Sequence, residues 1–209
     1  MSLGLMVLLL QQTNLSFGPV PTDLNREWLT QADYPADALK ERREGPVEFE
    51  LTVDPTGKPV LCRTLQSSGT ASLDRTTCAA IYARVRFKPT LDDDGKPVFA
   101  SITRTVKWVH PSRYHLAKKA GVPTEPVADL TVTVNRLPIP ADKARVGIRV
   151  VLSDRGTQES CTVALPSARP ALDKLACTNA ASIPPEPIFD AAGAPVRGVR
   201  WRRIHFVAQ

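Results

Sequence analysis

The sequence predicts an α+β chain of two tandem modules, each with a strand hairpin, a helix and a last strand. The first observation is a repeat. Cys62, Leu73-Asp74 and Cys78 return as Cys161, Leu172-Asp173 and Cys177, each 99 positions further on, and this frame uses all four cysteines. A self-similarity of that period sets the number of structural units before any residue-level reading. The second observation is the hydrophobic period, which switches within each copy from alternation to helical spacing and back. Size agrees: 209 residues suit two modules of roughly a hundred residues each.

The elements follow in order. Residues 19–33 are polar and Pro-containing and read as extended. Pro35 to Arg43 has helix formers behind a Pro at an allowed first-turn position, closed by Gly45. Val47, Phe49, Leu51 and Val53 alternate with Glu48, Glu50 and Thr52, the pattern of a half-buried strand. Asp54-Pro55-Thr56-Gly57 turns the chain into a return strand, Lys58 to Gln66, which carries Cys62. Ser67-Ser68-Gly69 breaks it, and Ser72 reads as the N-cap of a helix to about Arg84, with Leu73, Cys78, Ile81 and Val85 inward. Val98 to Val109 is the last strand.

Residues 110–127 form a Pro-rich, basic linker. Asp129 to Asn135 is an added strand with no counterpart in the first module. Val146, Ile148, Val150 and Leu152 then open the second copy, and Pro170 to Ala181 is its helix. After one deleted residue the offset becomes 98, so that Gly95, Pro97 and Val98 match Gly193, Pro195 and Val196. The entry helix has decayed: only Ile139-Pro140-Ala141-Asp142 resembles Tyr34-Pro35-Ala36-Asp37. Arg104 and Arg202 match at the same offset and share parity with the apolar positions of the last strands. Either they face the buried side with a carboxylate partner, or those strands are bulged.

The repeat favours pairing Cys62 with Cys78 and Cys161 with Cys177, because each module then closes its own loop. Each bridge would contribute about 3 kcal/mol through the unfolded state, useful in a small core. Buried free thiols or a zinc site are the alternatives; the short paired spacing of a Cys₄ zinc site is missing. Disulfides imply an oxidising compartment. Leu3 to Leu10 is an apolar run far too short to span a bilayer. Residues 1–18 are therefore read as a signal peptide or a truncated anchor, followed by an extended segment over 19–30.

Tyr34-Pro35, Ala38, Gly45-Pro46-Val47, Val53-Asp54-Pro55-Thr56-Gly57, Ser67-Ser68-Gly69, Leu73-Asp74, Arg86-Phe87-Lys88-Pro89 and Gly95-Lys96-Pro97-Val98 occur in that order. As an ordered set they resemble the TonB C-terminal domain, over residues 31–109. Residues 128–209 hold a more degenerate copy, whose resemblance runs from 139 to 207. The paired cysteines resemble a disulfide-bearing branch of the family. The resemblance implies a three-stranded antiparallel sheet with one or two helices per module. It also implies binding of a short extended segment, the TonB box of an outer-membrane TonB-dependent receptor, by strand addition at a sheet edge. Energy-coupled transport across the envelope and a periplasmic location come with it. Gln31, Tyr34 and Pro35 are the positions where the family's receptor contact carries over. The alternative is a disulfide-stapled structural envelope protein that binds no TonB box.

No catalytic constellation, metal cluster or phosphate loop is present, so no enzyme and no cofactor is expected. His110, His115 and His205 are scattered, and Asp92-Asp93-Asp94 lies on a loop tip. Asp74 and Asp173 read as helix N-terminal charges. The net charge of +6 comes with only 6% aromatics, and these do not interleave with the basic residues as a nucleic-acid platform would. A protein partner is expected, and nucleic acid is not. Membrane anchoring and oligomeric state are left open by the residues.

Overall fold

Both hairpin turns hinge on a glycine where an L side chain is strained. Gly57 and Gly156 sit at φ +87° and +78°, and a Cβ on either would strike backbone at 1.9 and 2.4 Å. The computed structural model describes residues 17–23, 28–113 and 128–209. Nearly all of the expected signal peptide or anchor, and most of the linker, lie outside the described residues.

The first half runs α1 (Ala36–Lys40), β1 (Gly45–Val53), β2 (Pro59–Gln66), α2 (Ala71–Arg84), β3 (Thr90–Leu91) and β4 (Pro97–Trp108). The second runs β5 (Leu130–Val134), β6 (Arg145–Leu152), β7 (Gln158–Leu165), α3 (Pro170–Ala180), β8 (Ile188–Phe189), β9 (Pro195–Val196) and β10 (Gly198–Ala208). The expected α+β class holds, with an antiparallel three-stranded unit in each half. A 3-10 turn, Ala141–Lys143, stands where the first half has α1. That helix is shorter than its composition suggests, because Arg42 turns out of it at φ +53°. Helix α2 begins at Ala71, one residue before Ser72, with Thr70 at the cap.

Eight strands form one mixed sheet in the order β2-β1-β4-β10-β6-β7, with β3 on β4 and β5 on β10, and β8 pairs with β9 in a separate ribbon. Its centre is a short parallel joint, where Phe99, Ala100 and Ser101 of β4 meet Gly198, Val199 and Arg200 of β10. The two halves are therefore joined through their last strands. Gly198 is required there, since a Cβ would lie 2.6 Å from the Phe99 carbonyl.

Parallel register decides where the two cores sit. In β4 the even-numbered Ala100, Ile102, Val106 and Trp108 face the first core, with Val47, Phe49, Leu51 and Val53 opposite them or nearby. In β10 the even-numbered Ile204 and Phe206 face the second core with Val146 and Ile148. At the joint Val199 lies beside Ala100, so the even positions of the two strands point to opposite sides. The first core and α2 thus lie on one face of the sheet, the second core and α3 on the other. Trp201 reaches back onto the first core and Phe99 onto the second.

Each helix is fastened to its hairpin. Cys62 is bonded to Cys78, and Cys161 to Cys177, each across 16 residues. Asp74 accepts from Ser68 N at 3.0 Å and from the Ser67 and Ser68 hydroxyls at 2.5 and 2.8 Å; Asp173 accepts from Ser167 N at 2.7 Å. The recurring Leu-Asp pair thus places one apolar anchor in each core and one carboxylate on the loop before the helix. Both roles are structural.

Ion pairs tie the halves where loops cross the polar backs of the hairpins. Glu50, nearly buried, holds Arg63 at 2.6 Å and Arg200 at 2.8 Å, and accepts from Ser101 at 2.8 Å. Arg200 also meets Glu186 at 2.7 Å. On the opposite face Asp93 holds Arg149 at 2.7 Å and Asp92 holds Arg197 at 2.6 Å. The Asp92–Asp93 loop is therefore a clasp between the halves.

Candidate partner-binding edge

The 3-10 turn Gln31–Asp33 enters the domain on a carboxylate clamp. Asp33 accepts from Thr30 N at 2.7 Å and receives two bonds of 2.5 Å from the Arg84 guanidinium at the end of α2. The Arg84 bonds hold the Asp33 carboxyl at about 2, well below its ordinary 3.8. One ion pair therefore fixes the turn to a helix that is itself fixed to β2 by a disulfide.

Tyr34, Pro35 and Gln31 occupy different environments. The Tyr34 ring is buried, edge-on to Trp108 at 5.2 Å between centroids. Its hydroxyl donates to the Arg43 carbonyl, which closes α1 onto the ring. Burial, with Glu44 adding to it, pushes that phenol up to about 12. Pro35 is half-buried and caps α1 in extended backbone. Gln31 differs from both: its amide oxygen and nitrogen are enclosed and have no hydrogen-bond partner among the described residues. Leaving such a group unpaired costs about 1–3 kcal/mol. Of the three, Gln31 is the residue with unused hydrogen-bonding capacity, while Tyr34 braces the segment against the end of β4.

That strand has an incomplete ladder. On one side β4 pairs with β1 continuously from Ala100 to Trp108. On the other, among the described residues, Phe99–Ser101 pair with β10. Among the described residues no second strand pairs with Ile102–Trp108, and unpaired strand backbone is a template for another chain. Arg104 lies in this stretch. Both matched arginines face the core side of regularly paired strands, without a bulge. Arg202 meets Glu186 at 3.1 Å. Arg104 has no carboxylate partner among the described residues; it donates to the Phe17 carbonyl at 2.5 Å and the Thr103 carbonyl at 3.2 Å. Burial lowers the Arg104 pKa, and the like charge of Arg203 lowers it further. Arg203 itself stacks over the Phe17 ring at 4.9 Å.

Residues 30–110 match the family described as Gram-negative bacterial TonB protein C-terminal. The first half is a TonB C-terminal domain. No curated protein and no solved structure matches the chain. The TonB C-terminal domain is a binding and energy-transducing unit of the cell envelope, which agrees with a site made of backbone edge and hydrogen-bonding side chains. Among the described residues no helix is long and apolar enough to cross a membrane, and no cluster of metal-ligating side chains occurs.

Sequence reasoning passed over the Asp33–Arg84 clamp, the open stretch of β4 and the apolar plugs Phe17 and Leu29, both buried. A single apolar residue in a polar stretch gives no periodic signal. The matched arginines were the one available hint to the edge.

Proposed function

We propose that this is a periplasmic binding protein serving energy-coupled transport. Its TonB C-terminal domain takes an extended segment of an outer-membrane TonB-dependent receptor, or of another envelope protein, by strand addition along Ile102–Trp108 of β4. The observation that carries this reading is the one-sided ladder of β4 inside a TonB C-terminal domain. Backbone bonds to that edge supply much of the affinity. Gln31 offers its unpaired amide to the incoming segment, and Tyr34 and Pro35 hold Gln31 in place. The second half is a degenerate copy of the first, and residues 1–18 direct export or anchor the chain. The two disulfides suit that oxidising compartment.

Labelled TonB-box peptides test the proposal by fluorescence anisotropy with the oxidised chain. Saturable binding is expected, weakened about tenfold by Gln31→Ala. Absence of binding at high micromolar peptide overturns it. The β4–β10 joint favours a second reading, a structural envelope protein in which the two halves satisfy each other; the same null result, with the chain still folded, supports that one.

A further inference from the structure

The segment that leads into the first half crosses to the second half at the root of the open stretch of β4. Its first-half end is fixed by backbone: Lys88 N donates to the Val20 carbonyl at 2.8 Å and Thr22 N to the Arg86 carbonyl at 2.9 Å. Its other end, Phe17, is held by the second half. The buried ring lies on Gly147 of β6, where a Cβ would come within 2.5 Å of it, and under the Arg203 guanidinium of β10. Between the two ends Gly18 passes so close to β4 that a Cβ would lie 2.0 Å from Ile102 Cδ1 and 2.8 Å from Arg104 Nη2.

The seat for the ring is peculiar to the second copy. Val47 faces Val106 as Val146 faces Ile204. Gly147, with Arg203 on one side and Leu165 on the other, therefore corresponds to Glu48, with Thr105 and Gln66 as its neighbours. At one position of the sheet the repeat exchanges three polar residues for a glycine, a leucine and a cation. Together these accept an aromatic ring: the glycine leaves room for it, the leucine adds an apolar wall and the guanidinium covers its face.

The strands β4 and β10 part at the same place. Their parallel pairing ends at Ser101↔Arg200, and three residues more of it would set Arg104 beside Arg203. Each of these cations is instead met by Phe17, Arg104 by the carbonyl at 2.5 Å and Arg203 by the ring at 4.9 Å. The two guanidinia act on each other as like charges, and their partial burial strengthens that repulsion. Asp129, which accepts from the Arg203 backbone N–H, offsets part of it from the far side.

We infer that the second half is the catch of a latch: Phe17, seated on Gly147, pins the fork between β4 and β10, and its release lets Arg104 and Arg203 spread the fork and free Ile102–Trp108. The effect on a partner rests on the proposed strand addition to β4; the latch itself does not. While the latch is closed, a partner's apparent affinity is reduced by the fraction of chains that are open. Tension on the chain preceding Phe17 bears on this ring before it reaches any strand, so a pull from that side withdraws the pin first.

Amide exchange by NMR, together with titration of a labelled TonB-box peptide, tests this on the whole oxidised chain. Phe17→Ala should speed exchange at Ser101 and Arg200, the last pair of the joint, about tenfold, with α3 and β6 unchanged, and should tighten the peptide about tenfold. Gly147→Ala, which evicts the ring from the second-half side, should do the same. Phe17→Leu, which keeps apolar bulk and loses the cation–π contact, should show a smaller change. Adding Arg203→Gln to Phe17→Ala removes one of the two charges and should bring exchange at the joint back toward the native rate. Native exchange at Ser101 and Arg200 in both Phe17→Ala and Gly147→Ala overturns the latch, and the proposed function stands if the peptide still binds. Exchange raised equally throughout the second half also overturns it, since Phe17 would then be ordinary core. A double variant as open as Phe17→Ala alone overturns the part given to the two cations. Faster exchange at the joint, with peptide bound by no chain, overturns the proposed function and keeps the latch.

Discussion

Replacing Asp33 by Asn tests how the Gln31 segment is held. In the native chain the carboxylate sits at about 2 against an ordinary 3.8, chiefly through the Arg84 bonds. A depressed folded-state pKa means stability that is present above about pH 4 and lost as pH falls through about 2. The gap corresponds to at most about 2 kcal/mol. Because the Arg84 side chain is 30% exposed, solvent screening reduces it to about 1–2 kcal/mol. Urea unfolding at pH 7, followed by tryptophan fluorescence, should show the variant midpoint lowered by roughly 0.5–1 M with an unchanged slope. At pH 2.5 the native carboxylate is losing its charge advantage, and the gap should shrink to roughly a third. Midpoints that coincide at pH 7, or a gap as large at pH 2.5 as at pH 7, would refute the clamp.

Three further outcomes follow from the packing. Gly198→Ala places a methyl group against the Phe99 carbonyl and, at 3.0 Å, Ile188; a loss of about 1–3 kcal/mol should be seen by calorimetry, with exchange rising first at Phe99–Ser101. Glu50→Gln removes the charge shared by Arg63 and Arg200 and should cost about 2 kcal/mol in urea titrations at pH 7, a cost that does not grow with added salt. Replacing Cys62 and Cys78 together by Ser should lower stability by about 3 kcal/mol while leaving the pattern of NMR contacts in the second half intact, and reduction of the native chain, which opens both bridges, should cost more than this replacement.

Much of the fold was legible because its signals are local. Alternation from Val47 to Val53, the Asp54–Gly57 turn and the spacing of Leu73, Ile81 and Val85 each specify an element from within a few residues, and the cysteine repeat specified the staples. What no local pattern could reveal was how the two halves meet. Phe99–Ser101 against Gly198–Arg200 joins residues about a hundred positions apart, and three residues carry no periodicity. The position of β5 was hidden for the same reason: its alternation says that it is a strand, not which edge it fills. At the candidate site, Gln31, Tyr34 and Pro35 were singled out by family resemblance. Their unlike surroundings depend on Trp108, Arg43 and Arg84, which no spacing rule connects to them.

The positions of the two staples also decide where the sheet can come apart. A β-sheet ordinarily frays from its rims, because an outermost strand is held from one side only. Here both rims, β2 and β7, are cross-linked to a helix, and on opposite faces. The thinnest seam is then in the middle, at the three-residue joint between β4 and β10, so the oxidised chain opens like a book along its spine. Reduction reverses that order: with the covers unstitched, β2 and β7 peel first. The redox state of four cysteines far from the partner edge thereby sets whether opening begins beside that edge or away from it.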